Sequence, residues 1–198
     1  DEVAIFALSN NRLDVYSSAG AVIQSNITSN CNWTTAQLFE VNFAQFGDTV
    51  FLCHRDNPIR KITRTSASTF SVAAYAFEED DSVTVNGINK TTQPFYKYAD
   101  STITITPGAT TGNSVTLTAS ADSFVSGHNG TYLKIGGKQA KIVGYTNPTT
   151  VTATILEALP NTDANADWQE QLISAVNGYP QAVSFHDNRL WFAGVRDN

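Results

Sequence analysis

Turn chemistry cuts this chain into short strand-forming runs, and that rhythm points to a mainly β fold. Val3–Leu8 is a compact apolar run, closed by Ser9-Asn10-Asn11. Arg12-Leu13-Asp14-Val15-Tyr16 then alternates polar and apolar residues, the period of a half-buried strand. Ser17-Ser18-Ala19-Gly20 turns the chain back into Ala21-Val22-Ile23. Thr49–His54 is apolar on both faces and reads as a central strand, ended by Asp56-Asn57-Pro58. Residues 60–64 and 69–72 read as the next pair. The exception is residues 36–43, where Thr34 or Thr35 could cap a short helix.

Composition changes after Tyr98. Residues 103–155 are rich in Thr, Val, Ile and Gly and poor in charge. Strands are expected at 102–106, 114–119, 131–135, 138–145 and 149–155, with Gly136-Gly137 as a tight hairpin turn. Five short strands at this spacing suggest a small β-barrel or sandwich. Residues 157–167 read as an exposed return loop. The expected organisation is a discontinuous β scaffold, 1–99 with 160–198, built of incomplete propeller-like blades or a sandwich. Residues 100–157 would form a small β-barrel module inserted into it. Asn11-Arg12-Leu13 is echoed by Asn188-Arg189-Leu190, as turn-plus-strand repeats in propeller blades are.

The chain carries a formal net charge of −6, which disfavours broad electrostatic attraction to nucleic acid or anionic membrane. It contains no Met, so it reads as a processed product or an excised piece. No apolar run is long enough for a membrane helix, and no signal-peptide pattern opens the sequence. Cys31 and Cys53 read as partly buried free thiols, with a single disulfide as the alternative.

Chemical motifs are sparse. The chain has no nucleophile elbow, no phosphate-binding loop and no His-Glu-x-x-His pair. Cys53 and His54 are strand neighbours pointing to opposite faces, so a shared metal ion is disfavoured, and no cofactor is expected. Glu78-Glu79-Asp80-Asp81 reads as a solvated loop tip rather than a calcium site, because the calcium-loop glycine and spacing are missing. The basic stretch Arg60-Lys61-Ile62-Thr63-Arg64 reads as a strand pairing with carboxylates rather than as a phosphate site. His186-Asp187 suggests a Ser-His-Asp arrangement only weakly, since adjacent strand side chains diverge. Trp33, Trp168, Tyr179, Phe185 and Trp191 would serve either as a sugar-stacking platform or as core.

Two segments carry more information together. One runs from Asp48 to Arg64 and includes His54, Pro58, Lys61 and Arg64. The other is Gly178-Tyr179-Pro180, an apolar strand with Phe185, then Arg189-Leu190-Trp191-Phe192-Ala193-Gly194. This ordered pair resembles the tail tubular protein B, or tail nozzle, family of short-tailed bacteriophages and their prophage relatives. Where that family often has a Pro-Pro pair, this chain has Asn57-Pro58.

The resemblance implies a non-enzymatic structural protein of the virion tail, made in the host bacterial cytoplasm. It also implies an N-terminal fragment, since family members are several times longer. The family's subunits form a homo-oligomeric ring below a tail adaptor protein, and DNA passes through the lumen without specific binding. The fragment alone is expected to be monomeric or weakly associated. Within it, Arg189, Leu190, Trp191 and Phe192 would build a core strand. His54, Pro58, Lys61 and Arg64 would shape a strand end, and Gly178, Tyr179 and Pro180 the turn into the last strand. The inserted module would contact the host surface or pad the ring. The alternative function is a carbohydrate-binding β module of a surface or host-recognition protein.

Overall fold

A computed structural model describes residues 3–195, and it is mainly β. Its strands in chain order are β1 (Ala4–Ser9), β2 (Arg12–Ser17), β3 (Val22–Ile27), β4 (Asn42–Phe46), β5 (Thr49–His54), β6 (Asn57–Ser66), β7 (Thr69–Ala74), β8 (Glu79–Val85) and β9 (Ile88–Thr91). There follow β10 (Phe95–Tyr96), β11 (Ile105–Pro107), β12 (Gly112–Ala119), β13 (Tyr132–Ile135), β14 (Lys138–Asn147), β15 (Thr150–Ile155), β16 (Trp168–Gln171), β17 (Ala182–His186) and β18 (Arg189–Ala193).

The chain divides into two compact units, one running to Ala76 and resuming at Gly178, the other spanning Phe77–Asn177. The second unit is therefore wider than the 100–157 expected from composition. The physical reason is pairing across the expected boundaries. β16 forms a ladder with β13, β10 adds to β16, and the side chain of Gln139 bonds both the N–H and the carbonyl of Thr91.

In the first unit, β1–β2–β3 forms one sheet and β4–β5–β6–β7 another. Their facing sides share a core of Leu13, Val15, Ile27, Trp33, Val50, Leu52, Ile62, Phe70 and Val72. The buried indole of Trp33 donates Nε1–H to the carbonyl of Ser9 at 2.8 Å. Residues 36–43 do not form the expected helix. Thr35–Glu40 is a single 3-10 segment, and the chain is already extended from Asn42. Only Leu38, Val41 and Phe43 gave that stretch an apolar spacing. Phe43 instead sits in β4 opposite Leu52 of β5.

In the second unit a seven-stranded sheet runs β10–β16–β13–β14–β15–β12–β11. It curls around Ile105, Leu117, Phe124, Leu133, Ile135, Ile142, Val151 and Trp168, each at most 2% exposed. It is a half-barrel: among the described residues no ladder joins β10 to β11. Ile135 pairs with Lys138, so Gly136 and Gly137 form a two-residue turn with φ of +56° and +76°. That geometry suits glycine and the twist of the flanking strands. The acidic run is not a loop tip. Glu79, Asp80 and Asp81 open β8, and Asp80 accepts hydrogen bonds from Ser82 while facing Lys90 at 3.8 Å.

One polar network is sealed inside this unit. Nδ1 of His128 accepts the N–H of Val125 at 2.9 Å, and its Nε2 lies 3.1 Å from Oε2 of Glu170. Asn177 donates to the same carboxylate oxygen at 3.3 Å and to the carbonyl of Gln171 at 3.0 Å. The His128, Glu170 and Asn177 residues are all at most 5% exposed. A buried carboxylate is tolerated when such partners surround it, and losing one partner leaves others desolvated and unpaired. Glu170→Ala is therefore expected to destabilise the chain by about 3–5 kcal/mol, with Glu170→Gln costing clearly less. Urea unfolding of the two variants checks this; equal loss would mean that the network contributes packing alone.

Candidate functional site

The two segments that carry the family resemblance are far apart in sequence and meet in the first unit. The N–H of Tyr179 donates to the carbonyl of Arg55 at 3.0 Å, and the Arg55 guanidinium donates to Oε1 of Gln181 at 3.1 Å. The N–H of Val183 donates to Oδ1 of Asn42 at 2.8 Å. The β17–β18 hairpin thereby lies on the face of β4–β7 opposite the β1–β3 sheet. Phe51 leaves β5 on that side. Its ring lies 5.8 Å from Phe185 and 5.7 Å from Tyr75, while Tyr75 lies 5.6 Å from Phe192 and Phe46 lies 5.3 Å from Phe185. Offset and edge-on aromatic pairs of this kind contribute about 0.5–1.5 kcal/mol each beyond the area they bury.

Each residue of the first segment has a local role. His54 ends β5 with its side chain buried. Its Nδ1 accepts the N–H of Asp56 at 3.1 Å, and Nε2 faces the Glu40 carboxylate at 3.5 Å. Register shifts between Leu52↔Arg60 and His54↔Asn57, so Cys53 stands opposite both Pro58 and Ile59. This is a β-bulge. It is one of the few places in a sheet where proline's missing N–H is tolerated, and β7 pairs with β6 only from Arg60 onward. Lys61 pairs with Phe51 on the hairpin side. Arg64 lies on the other side, donating to the carbonyls of Ser66 and Ala67, with its guanidinium 5.9 Å from the Phe70 ring centre. Arg60 shares that inner side and donates Nε–H to Oδ1 of Asn32 at 2.9 Å. Burial holds its pKa below the ordinary arginine value, and burial raises that of the neighbouring Tyr179 phenol.

The second segment divides by face. Val183, Phe185, Leu190 and Phe192 turn toward the central sheet, while Ser184, His186, Arg189 and Trp191 turn outward. Arg189–Phe192 is therefore not a core strand as a whole; period-two alternation leaves Trp191 53% exposed. His186 and Asp187 do meet, at 3.3 Å, because Asp187 occupies the turn with φ +48° rather than continuing the strand. Asn188 follows at φ +57°, and Asn11 of the β1–β2 hairpin has φ +51°. The Asn-Arg-Leu echo shares a two-residue turn with Asn at positive φ in its second place, but Asp187 is left-handed as well and Asn10 is not. The N–H of Gln181 donates to the carbonyl of Ala193, and Gly194 follows at φ +73°. Pro180 is buried beside Tyr179.

An open apolar groove of about 500 Å³ lies on the opposite side of the central sheet, between β1 and β4–β5. Phe6, Leu8, Leu38, Val41 and Phe43 line it, with Gln45, Asp48 and Arg64 supplying polar groups. Sequence reasoning missed this groove. The signal for it was the nearly uncharged stretches 3–9 and 35–47, which carry Glu40 alone.

Among the described residues no three His, Cys, Asp or Glu side chains converge as a metal site, and no helix is long and apolar enough to cross a membrane. The aromatic residues do not form a flat row. Trp33 and Trp168 are buried, Lys134 lies over Phe95 at 4.7 Å, Lys141 over Tyr132 at 4.9 Å, and Tyr96 and Tyr98 meet edge to face. No protein-family model matches the chain, and no curated protein matches its sequence.

Gly178 holds the seam closest. Its φ is +87°, and a Cβ there would stand 2.7 Å from the carbonyl oxygen of Val195. Gly178→Ala combines that clash with left-handed strain. It is expected to lower stability by about 2–4 kcal/mol, read as a drop in the thermal midpoint. A change below about 0.5 kcal/mol would show that the approach relaxes freely.

Both cysteines are free and buried, and desolvation raises the Cys31 thiol to about 11 and the Cys53 thiol to about 12. A raised thiol pKa adds stability that is complete below the unfolded value near 8.5 and is lost as pH climbs toward the folded values. Native alkylation at pH 8 is expected to be at least about 100-fold slower than in urea, with stability declining above about pH 9. Fast labelling of either thiol in the native chain would contradict that burial.

Proposed function

We propose that this chain is a structural, non-enzymatic part of a phage tail nozzle. It would build the wall of a homo-oligomeric ring that contacts a tail adaptor and lets the genome pass. One observation supports this reading most: the two resembling segments lie against each other, joined by one backbone hydrogen bond, one side-chain hydrogen bond and a shared aromatic layer. Motifs that serve a fold should meet in this way, whereas catalytic motifs would converge on an open polar cleft.

Several further observations agree. The β-rich units are suited to rigid walls. The acidic balance disfavours adhesion of DNA phosphates, the inverse of the basic footprint of nucleic-acid binders. Exposed Phe39 and Phe43 beside an apolar groove suit a chain that functions against neighbours.

Immunogold electron microscopy tests the proposal. Antibodies raised against the purified chain are expected to label the tail ends of particles from the phage or induced prophage that encodes it. Particles free of gold, from a culture in which the chain is expressed, would sink the tail assignment.

A further inference from the structure

We infer that Asn86 is a site of spontaneous covalent modification. Its carboxamide is lost to attack by the backbone nitrogen of Gly87, leaving aspartate or isoaspartate at the tip of the β8–β9 hairpin.

The chemistry needs an asparagine, the residue after it, and water. The backbone nitrogen of the following residue attacks Cγ, and a cyclic imide closes. The Cγ–Nδ2 bond breaks, and the amide nitrogen leaves as ammonia, carrying the proton that the attacking nitrogen gives up. Water then opens the ring. Opening at Cγ restores the main chain and gives aspartate. Opening at the other carbonyl routes the main chain through the side chain and gives isoaspartate. Glycine favours the attack, because no Cβ shields its nitrogen and its backbone turns freely.

The dipeptide occurs three times, at Asn86-Gly87, Asn129-Gly130 and Asn177-Gly178. The three are alike in local chemistry, and the fold makes them unequal. Asn177 is 5% exposed, and its amide nitrogen donates to Glu170 and to the carbonyl of Gln171. That nitrogen leaves only if the buried network opens. Asn129 is exposed, but the nucleophile beside it is engaged. The N–H of Gly130 donates to the carbonyl of Ile142 at 2.9 Å, so attack there must first break a backbone hydrogen bond to β14.

Asn86 has neither restraint. Val85 pairs with Ile88, so Asn86 and Gly87 are the two turn residues, with φ of +51° and +72°. Both are exposed. Among the described residues the Gly87 N–H has no backbone acceptor, and a Cβ at Gly87 would meet nothing within 4 Å. The left-handed turn has to unwind before nitrogen and Cγ meet. β8 and β9 form a sheet of two strands only, and the exposed tip of such a pair opens at little free-energy cost. The product carries a new negative charge in a hairpin whose first strand already begins with Glu79, Asp80 and Asp81.

Ageing the purified chain in mildly alkaline buffer tests the inference, read by peptide mapping and by enzymatic methylation of isoaspartate. The native chain is expected to gain about 1 Da per event. The gain should come first at 86, at least about tenfold faster than at 129 or 177. In urea the three sites should react within about threefold of one another, since the fold no longer separates them. Asn86→Gln should remove the early mass gain, because the longer side chain must close a larger, less favoured ring. If that variant fails to fold, the wild-type maps in buffer and in urea decide alone.

Three results would overturn the inference: a native Asn86 that stays intact while the unfolded chain reacts, a native Asn129 or Asn177 that reacts as fast as Asn86, or a native ranking that merely repeats the ranking in urea. In the last case the sequence, and not the fold, would have chosen the site.

Discussion

Side chains leave β5 on alternating sides, and the first unit is organised around that alternation. Val50 and Leu52 face the core shared with β1–β3. Phe51, between them, faces the hairpin that returns from the far end of the chain. A slip of one residue in this strand would exchange the two environments, placing Phe51 where Leu52 packs. The bulge at Cys53 ends the regular register just where the strand turns into β6. Pro58 is tolerated there, and the Arg55 carbonyl just before it accepts the N–H of Tyr179.

The second unit solves a different problem. Its curled sheet buries one continuous apolar face and also admits charge, because Glu170 shares the inward side of β16 with Trp168. His128 and Asn177 reach that carboxylate from turns on either side of it in sequence. Removed from water, the network does structural service: it fixes two irregular segments against the sheet. Trp168 does likewise, donating its indole N–H to the carbonyl of Ile103 at 2.8 Å.

Much of the fold was legible in the sequence. Period two and turn chemistry located β1, β2, β5 and β12 to β15 to within a few residues, since strands facing one core must alternate and glycine pairs must turn. The 3-10 segment at Thr35–Glu40 was not legible as such, because β4 takes Phe43 by tertiary pairing. The short β10 and β16 were missed for the same reason. Two residues such as Phe95-Tyr96 have no period, and a ladder partner alone makes them a strand. The limits of the second unit moved outward on that account.

The candidate site was legible as two segments and illegible as a place. Gly178-Tyr179-Pro180 announces a constrained turn, and His54 to Pro58 announces the end of a strand. That Tyr179 bonds Arg55, or that Trp191 faces outward while Phe192 faces Tyr75, depends on which sheet face the returning hairpin covers. By itself, then, the sequence determined the β class and most strand positions, because periodicity and turn chemistry are local. Only the tertiary structure decided the seam, the buried Glu170 network and the open groove. Each depends on residues distant in the chain whose proximity is set by core packing, and no local pattern records it.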